Sequence, residues 1–97
     1  MKKMENVTQK AKKNRQYKVN KNIIYFDRIL FDSVTGNIHR ISETTSHIIS
    51  QLQIGANTSR LVQSLSERYA IPQELISSDV EVILSELIAL NIVKDIN

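Results

Sequence analysis

The sequence predicts an α+β fold, winged helix-turn-helix-like, with an N-terminal three-stranded antiparallel β-sheet followed by three α-helices. Three observations carry that prediction. β-Branched and aromatic residues crowd the stretch from Tyr17 to Ile41, which is strand composition. After Ser42 the apolar residues recur at three- and four-residue steps, the spacing of a buried helical stripe. Two Gly and one Pro in 97 residues are few for the turns of an all-β chain.

Taken in order, Tyr17, Val19, Ile23, Ile24, Tyr25 and Phe26 read as a first strand with polar residues between them. Residues 28–33 read as a second. Val34, Thr35 and Gly36 form a tight turn, because Gly36 tolerates the positive φ that such turns use. Residues 37–41 return antiparallel as the third strand. Ser42 is suited to cap a helix, its hydroxyl accepting from a free amide of the first turn. The first helix runs over residues 43–53, with Ile48, Ile49, Leu52 and Thr45 on its buried side. Gly55 takes the left-handed position beyond its end. Thr58 is expected to cap the second helix, which runs to Tyr69 with Leu61, Val62, Leu65 and Tyr69 on one face.

Pro72 stops that pattern and opens the third helix, from Pro72 or Gln73 to Leu90. Ser78 and Glu81 also fit a capping box, which allows a start or a bend there. At 100° per residue Ile76, Val80, Ile83, Leu87 and Leu90 form one stripe, widened by Leu84 and Ile88. Leu75, Val82 and Ala89 lie on the other side. That apolar arc is wide for a surface helix. It suits either a central helix packed on two sides or a helix that lends part of its surface to a groove. Asn91 ends the helix, Ile92 and Val93 tuck back onto the core, and residues 94–97 fray.

A chain of this length forms one small domain, and most of its apolar residues are needed for the core. The net charge of +3 is unevenly spread. Six cations against Glu5 give residues 1–15 a charge of +5, so residues 16–97 carry −2. The reading is a disordered basic tail over 1–15 and a folded domain over 16–94. No cysteine is present, which excludes disulfides, a thiol nucleophile and thiolate metal sites. No apolar run approaches the ~18 residues of a membrane span, and the N-terminus lacks the apolar core of a signal peptide. A cytoplasmic protein with no membrane partner is expected.

The residues offer little for catalysis. His39 and His47 fall on a strand and the following helix, without metal-ligand spacing. Gly36 and Gly55 are too few for a phosphate-binding loop. No enzyme activity, metal or cofactor is expected. A DNA-binding winged-helix regulator is the alternative, but its recognition helix would need cations or amides aimed at bases and phosphates. The third helix has no Lys or Arg between Gln73 and Asn91 and carries Glu74, Asp79, Glu81 and Glu86, which repel a phosphate backbone. No nucleic-acid partner is expected. A strand at 37–41 with an exposed edge, beside a greasy and non-basic helix, suits instead an extended peptide that adds its own strand.

The order of these features resembles the PqqD-like family, the RiPP recognition elements. Leu30-Phe31-Asp32, then Thr35-Gly36 and Ile41-Ser42, lead into a helix ending at Gly55. A capped helix with Tyr69 follows, then Asp79-Val80 with Ile83, Leu84 and Leu87, closing on Ile92-Val93. The resemblance covers about residues 17–93. Ser42 stands where Asn is usual, Ile38-His39 where aromatics are common, and Asn91 where Gly is usual. The resemblance implies a non-catalytic adaptor that binds the leader segment of a ribosomally made precursor peptide. It delivers that peptide to a modifying enzyme or leader peptidase, with a lasso-peptide or related antibiotic pathway favoured. Carried over, the peptide-binding residues are Asn37, Ile38, His39, Arg40 and Ile41 on the strand and Ile76, Asp79, Val82, Ile83 and Glu86 on the third helix.

Overall fold

The computed structural model describes residues 15–96. The basic tail expected over 1–15 therefore lies outside the described residues, save for Arg15. Among the described residues five strands and three helices follow one another: β1 (Tyr17–Val19), β2 (Ile23–Phe26), β3 (Ile29–Asp32), β4 (Ile38–Arg40), α1 (Glu43–Gln53), α2 (Thr58–Tyr69), α3 (Gln73–Ala89) and β5 (Val93–Asp95). β2, β3 and β4 form the three-stranded antiparallel sheet, in that order. The α+β class with three strands before three helices is thus the one expected.

The first strand is not where the sequence put it. Residues 17–26 break in two at Asn20. The Ile23 amide donates back to the Asn20 carbonyl (3.1 Å), and the Asn20 amide donates to the Ile92 carbonyl (2.9 Å). β1 consequently leaves the main sheet and pairs antiparallel with β5, Val19 opposite Val93 and Tyr17 opposite Asp95. Residues 94 and 95, expected to fray, are held in this second, two-stranded sheet. Arg15 adds an ion pair to Asp95 (2.6 Å), and its carbonyl accepts from the Thr58 amide and hydroxyl, each at 3.0 Å. The start of the described chain is thereby fixed to both its end and α2.

The hairpin turns follow from local chemistry. Asp27, at φ +57°, carries the two-residue link from β2 to β3, a position that Asp accepts more readily than most residues. Asp32 closes β3: its carboxylate accepts from the Val34 amide (2.9 Å), the Thr35 amide (3.2 Å) and the Asn22 side chain (2.8 Å). These donors hold its carboxyl below the usual carboxylate range, the Asn22 amide first among them. Gly36 takes φ +80° at the far side of this turn.

The helices begin and end close to the expected positions. Ser42 caps α1 by accepting from the Thr45 amide, and Gly55 follows at φ +89°. At α2 the cap is Asn57, whose side chain accepts from the Arg60 amide, and not Thr58, whose hydroxyl is taken by Arg15. α3 starts after Pro72 and runs unbroken past Ser78 and Glu81, stopping at Ala89 with Leu90 beyond it. Asn91 turns left-handed, φ +60°. The core joins Ile23 and Leu30 of the main sheet to Ile48, Ile49 and Leu52 of α1, Leu61, Val62 and Leu65 of α2, and Ile76, Val80, Leu84 and Leu87 of α3. Ile92 and Val93 complete it. Leu90, expected in the stripe, is half-exposed, whereas Leu84 is buried. The Tyr25 hydroxyl bonds the Ser46 hydroxyl, and Ser46 donates to the Asp27 carbonyl (3.2 Å). These bonds tie the sheet to α1.

Candidate functional site

β4 is the last strand of its sheet, so one of its edges has no neighbouring strand among the described residues. Which residues that edge offers follows from two bonds. The Asp32 amide donates to the Asn37 carbonyl (2.9 Å), and the Ile41 amide donates to the Arg28 carbonyl (2.9 Å). In an antiparallel pair the bonded positions alternate, so residues 37, 39 and 41 turn their backbone groups toward β3. Ile38 and Arg40 then turn theirs outward. Each offers one N–H and one C=O in the plane of the sheet, the pattern on which another strand can build.

Side chains alternate the other way. Ile38 and Arg40 stand exposed on the outer face of the sheet, while His39 is half-buried on the inner face, opposite Leu30. Ile41 is half-buried and packs against the core. Asn37 is exposed, its amide donating to the Thr35 hydroxyl (3.2 Å). β2 is the other end of the sheet, so an open edge alone does not single out β4. What distinguishes β4 is its continuation into α1 and the cavity there.

That cavity, about 200 Å3, is lined by Thr44 of α1, Leu65 and Tyr69 of α2, Ile71 of the α2–α3 link, and Ile76, Asp79, Val80 and Ile83 of α3. Thr44 follows β4 within one turn of α1, so the cavity lies beyond the end of the strand. Its floor is aliphatic, with Leu65 and Val80 buried and Ile83 half-buried. Two polar groups break the apolar lining. The Asp79 carboxylate belongs to an exposed residue at the rim. The Tyr69 hydroxyl is buried and has no hydrogen bond of good geometry among the described residues, although the Arg68 guanidinium interacts with it. A buried hydroxyl without such a bond costs up to about 1–3 kcal/mol, a cost that a bound group able to hydrogen-bond would remove. Beside the cavity, Arg68 lies 5.8 Å from the centre of the Tyr69 ring and reaches Glu43 at 3.5 Å.

Of the helix residues expected to bind, Ile76, Asp79 and Ile83 meet at this cavity, whereas Val82 and Glu86 do not line it. Val82 lies 60° round the helix from Asp79, and Glu86 lies two turns farther along. Both are exposed. Thr44, Leu65, Ile71 and Val80 were not expected. Tyr69, part of the resemblance, could have been singled out by its place as the last residue of α2. α3 exposes Glu74 and Glu81 on one side and Asp79 and Glu86 on another, so its surface is hostile to phosphate. Among the described residues no cluster of three or more His, Asp or Glu could hold a metal ion, and no helix is long and apolar enough to cross a membrane.

A family model described as coenzyme PQQ synthesis protein D (PqqD) matches residues 27–93. That match takes in β3, β4 and all three helices and leaves β1 and β2 outside. No curated protein and no solved structure matches the chain.

Proposed function

The chain belongs to the PqqD family, and from that premise we propose that it is a non-catalytic adaptor for a precursor peptide. The leader of that peptide adds as a strand to β4 and rests a side chain in the cavity on α3. The observation that carries this reading is the pair of outward-facing backbones at Ile38 and Arg40 on a strand that runs on into α1, whose first turn brings Thr44 to an apolar cavity with one carboxylate and one buried phenol. Main-chain bonds to Ile38 and Arg40 supply affinity that tolerates many sequences. The cavity supplies selection: an aliphatic or aromatic side chain on Leu65, Val80 and Ile83, with a hydrogen-bonding group toward Tyr69. Asp79 favours a basic neighbour in the leader and so sets register more than affinity. A flexible leader loses conformational freedom on binding, which places its affinity at about the nanomolar to micromolar level.

The adaptor then hands the peptide to a modifying enzyme. A leader peptidase of a lasso-peptide pathway is the partner this reading favours. The test is titration of a synthetic leader into the labelled protein, followed by NMR. The Ile38 and Arg40 amides shift downfield on gaining acceptors, and the amides of Asp79 and Ile83 move with them. Saturating leader that leaves these amides in place would overturn the proposal. Duplex DNA serves as the opposing probe, since an acidic α3 predicts no salt-resistant binding.

A further inference from the structure

The outer face of the main sheet is apolar across all three strands. The register sets Ile24, Phe31 and Ile38 in one cross-strand row and Phe26, Ile29 and Arg40 in the next. Ile24 is 55 % exposed, Phe26 77 %, Ile38 66 %, and Ile29 and Phe31 more than a third. These five side chains present roughly 500 Å2, the scale of the largest apolar patch on a typical monomer. Arg40 adds to that area, which is then more than half of the roughly 800 Å2 per partner of a stable interface.

We propose that a second copy of this chain covers this face, with the two sheets related by a two-fold axis running along β3. The face is self-complementary under that operation. Rotation about β3 keeps the strands aligned, as packed sheets prefer, and lays β2 of one copy over β4 of the other, row on row. Ile24 then meets Ile38, Phe31 meets Phe31 and Ile29 meets Ile29. Arg40 meets the ring of Phe26, and it does so twice. Among the described residues Arg40 has no ion pair, and a guanidinium over an aromatic face is a favourable contact. A two-fold axis across the strands would instead press Arg40 onto Ile38, leaving a charge against an aliphatic group with nothing to offset its desolvation.

The inference stands apart from the peptide reading. The face is perpendicular to the edge at Ile38 and Arg40, so association leaves that edge open in each copy, the two edges on opposite sides of the pair. Sedimentation equilibrium of the full chain across the micromolar range tests it. The unsubstituted chain approaches the mass of two copies at the upper end. Phe26→Arg sets cation against cation and weakens association at least ten-fold. The swap Phe26→Arg with Arg40→Phe re-forms the pair under this operator alone and restores association. Far-UV circular dichroism confirms folding of each variant, since both positions are solvent-facing in one copy. Monomer mass throughout for the unsubstituted chain, or a swap that stays monomeric while folded, overturns the proposal. The face would then belong to residues 1–14 or to another protein.

Discussion

Leu30 and Phe31 are neighbours in β3, both large and apolar, and only the first is buried. The contrast extends across the sheet. Ile23 and Leu30 on the inner face sit in the core with α1, while Ile24, Phe26, Ile29 and Ile38 on the outer face meet solvent. A one-sided antiparallel sheet ordinarily alternates apolar and polar residues. Here Ile23-Ile24-Tyr25-Phe26 and Ile29-Leu30-Phe31 are apolar on both faces, the composition of a sheet covered twice. Burial within the domain therefore does not account for half of the apolar residues in this sheet. The inner side answers to folding, and the outer side is the face that the proposed second copy would cover.

Substitutions can break that division. The largest effect belongs to the covered side: Val80→Asp, at a fully buried position, leaves an unpaired charge that costs several kcal/mol. A domain this small should not fold with it, and circular dichroism would show the loss. Leu30→Ala comes next. Its side chain is fully buried, and removing it should cost about 2–5 kcal/mol, read as a lower urea midpoint at unchanged slope. Phe26→Ser on the outer face should stay within about 0.5 kcal/mol when measured on the dilute monomer. Equal losses at Leu30 and Phe26 would erase the contrast.

A fourth substitution moves to the rim of the cavity. Ile83 is half-buried and lines it, so Ile83→Glu should weaken leader binding about ten-fold or more, ~1.4 kcal/mol. Val82→Arg one residue earlier, exposed and outside the lining, should change binding little. Calorimetric titration of the synthetic leader compares the two. A reversed order would place the leader on the outer flank of α3 instead of in the cavity.

How much of this could be read from residues alone differs by element. Helix ends were legible where a cap has no competitor: Ser42 and Gly55 bracket α1, and Pro72 announces α3. At α2 two adjacent capping residues, Asn57 and Thr58, compete, and Arg15, 43 residues away in sequence, decides between them by taking the Thr58 hydroxyl. The split of the first strand was illegible for the same reason. β1 is made by its pairing with β5 at the other end of the chain, which local composition does not encode. Strand parity at Ile38 and His39 was readable from alternation. The direction of the backbone groups at Ile38 and Arg40 needed the bonds on either side. The cavity draws on three helices and a link, so the residues carried over onto α3 from the family resemblance mix Ile76, Asp79 and Ile83, which line it, with Val82 and Glu86, which do not.

The smallest expected effect tests how dry the covered side is. His47 of α1 is half-buried and hydrogen-bonds the Ser64 hydroxyl of α2 (2.7 Å). Burial lowers its pKa, and the positive charge of Arg68 lowers it further. In the unfolded chain it titrates near the ordinary value of about 6.5. The unfolded state therefore binds this proton more readily than the folded state, and stability rises with pH across the interval between the two values. The full contribution is present above about pH 6.5 and is lost as pH falls through the lower, folded pKa. Urea midpoints taken from pH 7.5 down to 5 should fall in the unsubstituted protein. They should stay level over that window in His47→Gln, which keeps a hydrogen-bonding group toward Ser64 but cannot take the proton. Asp32, held ionised by its turn, adds its own loss only in the more acid carboxylate range, so the two slopes do not overlap. A level curve in the unsubstituted protein would mean that water reaches His47 freely between α1 and α2, and the covered side would then be less different from the outer face than their packing suggests.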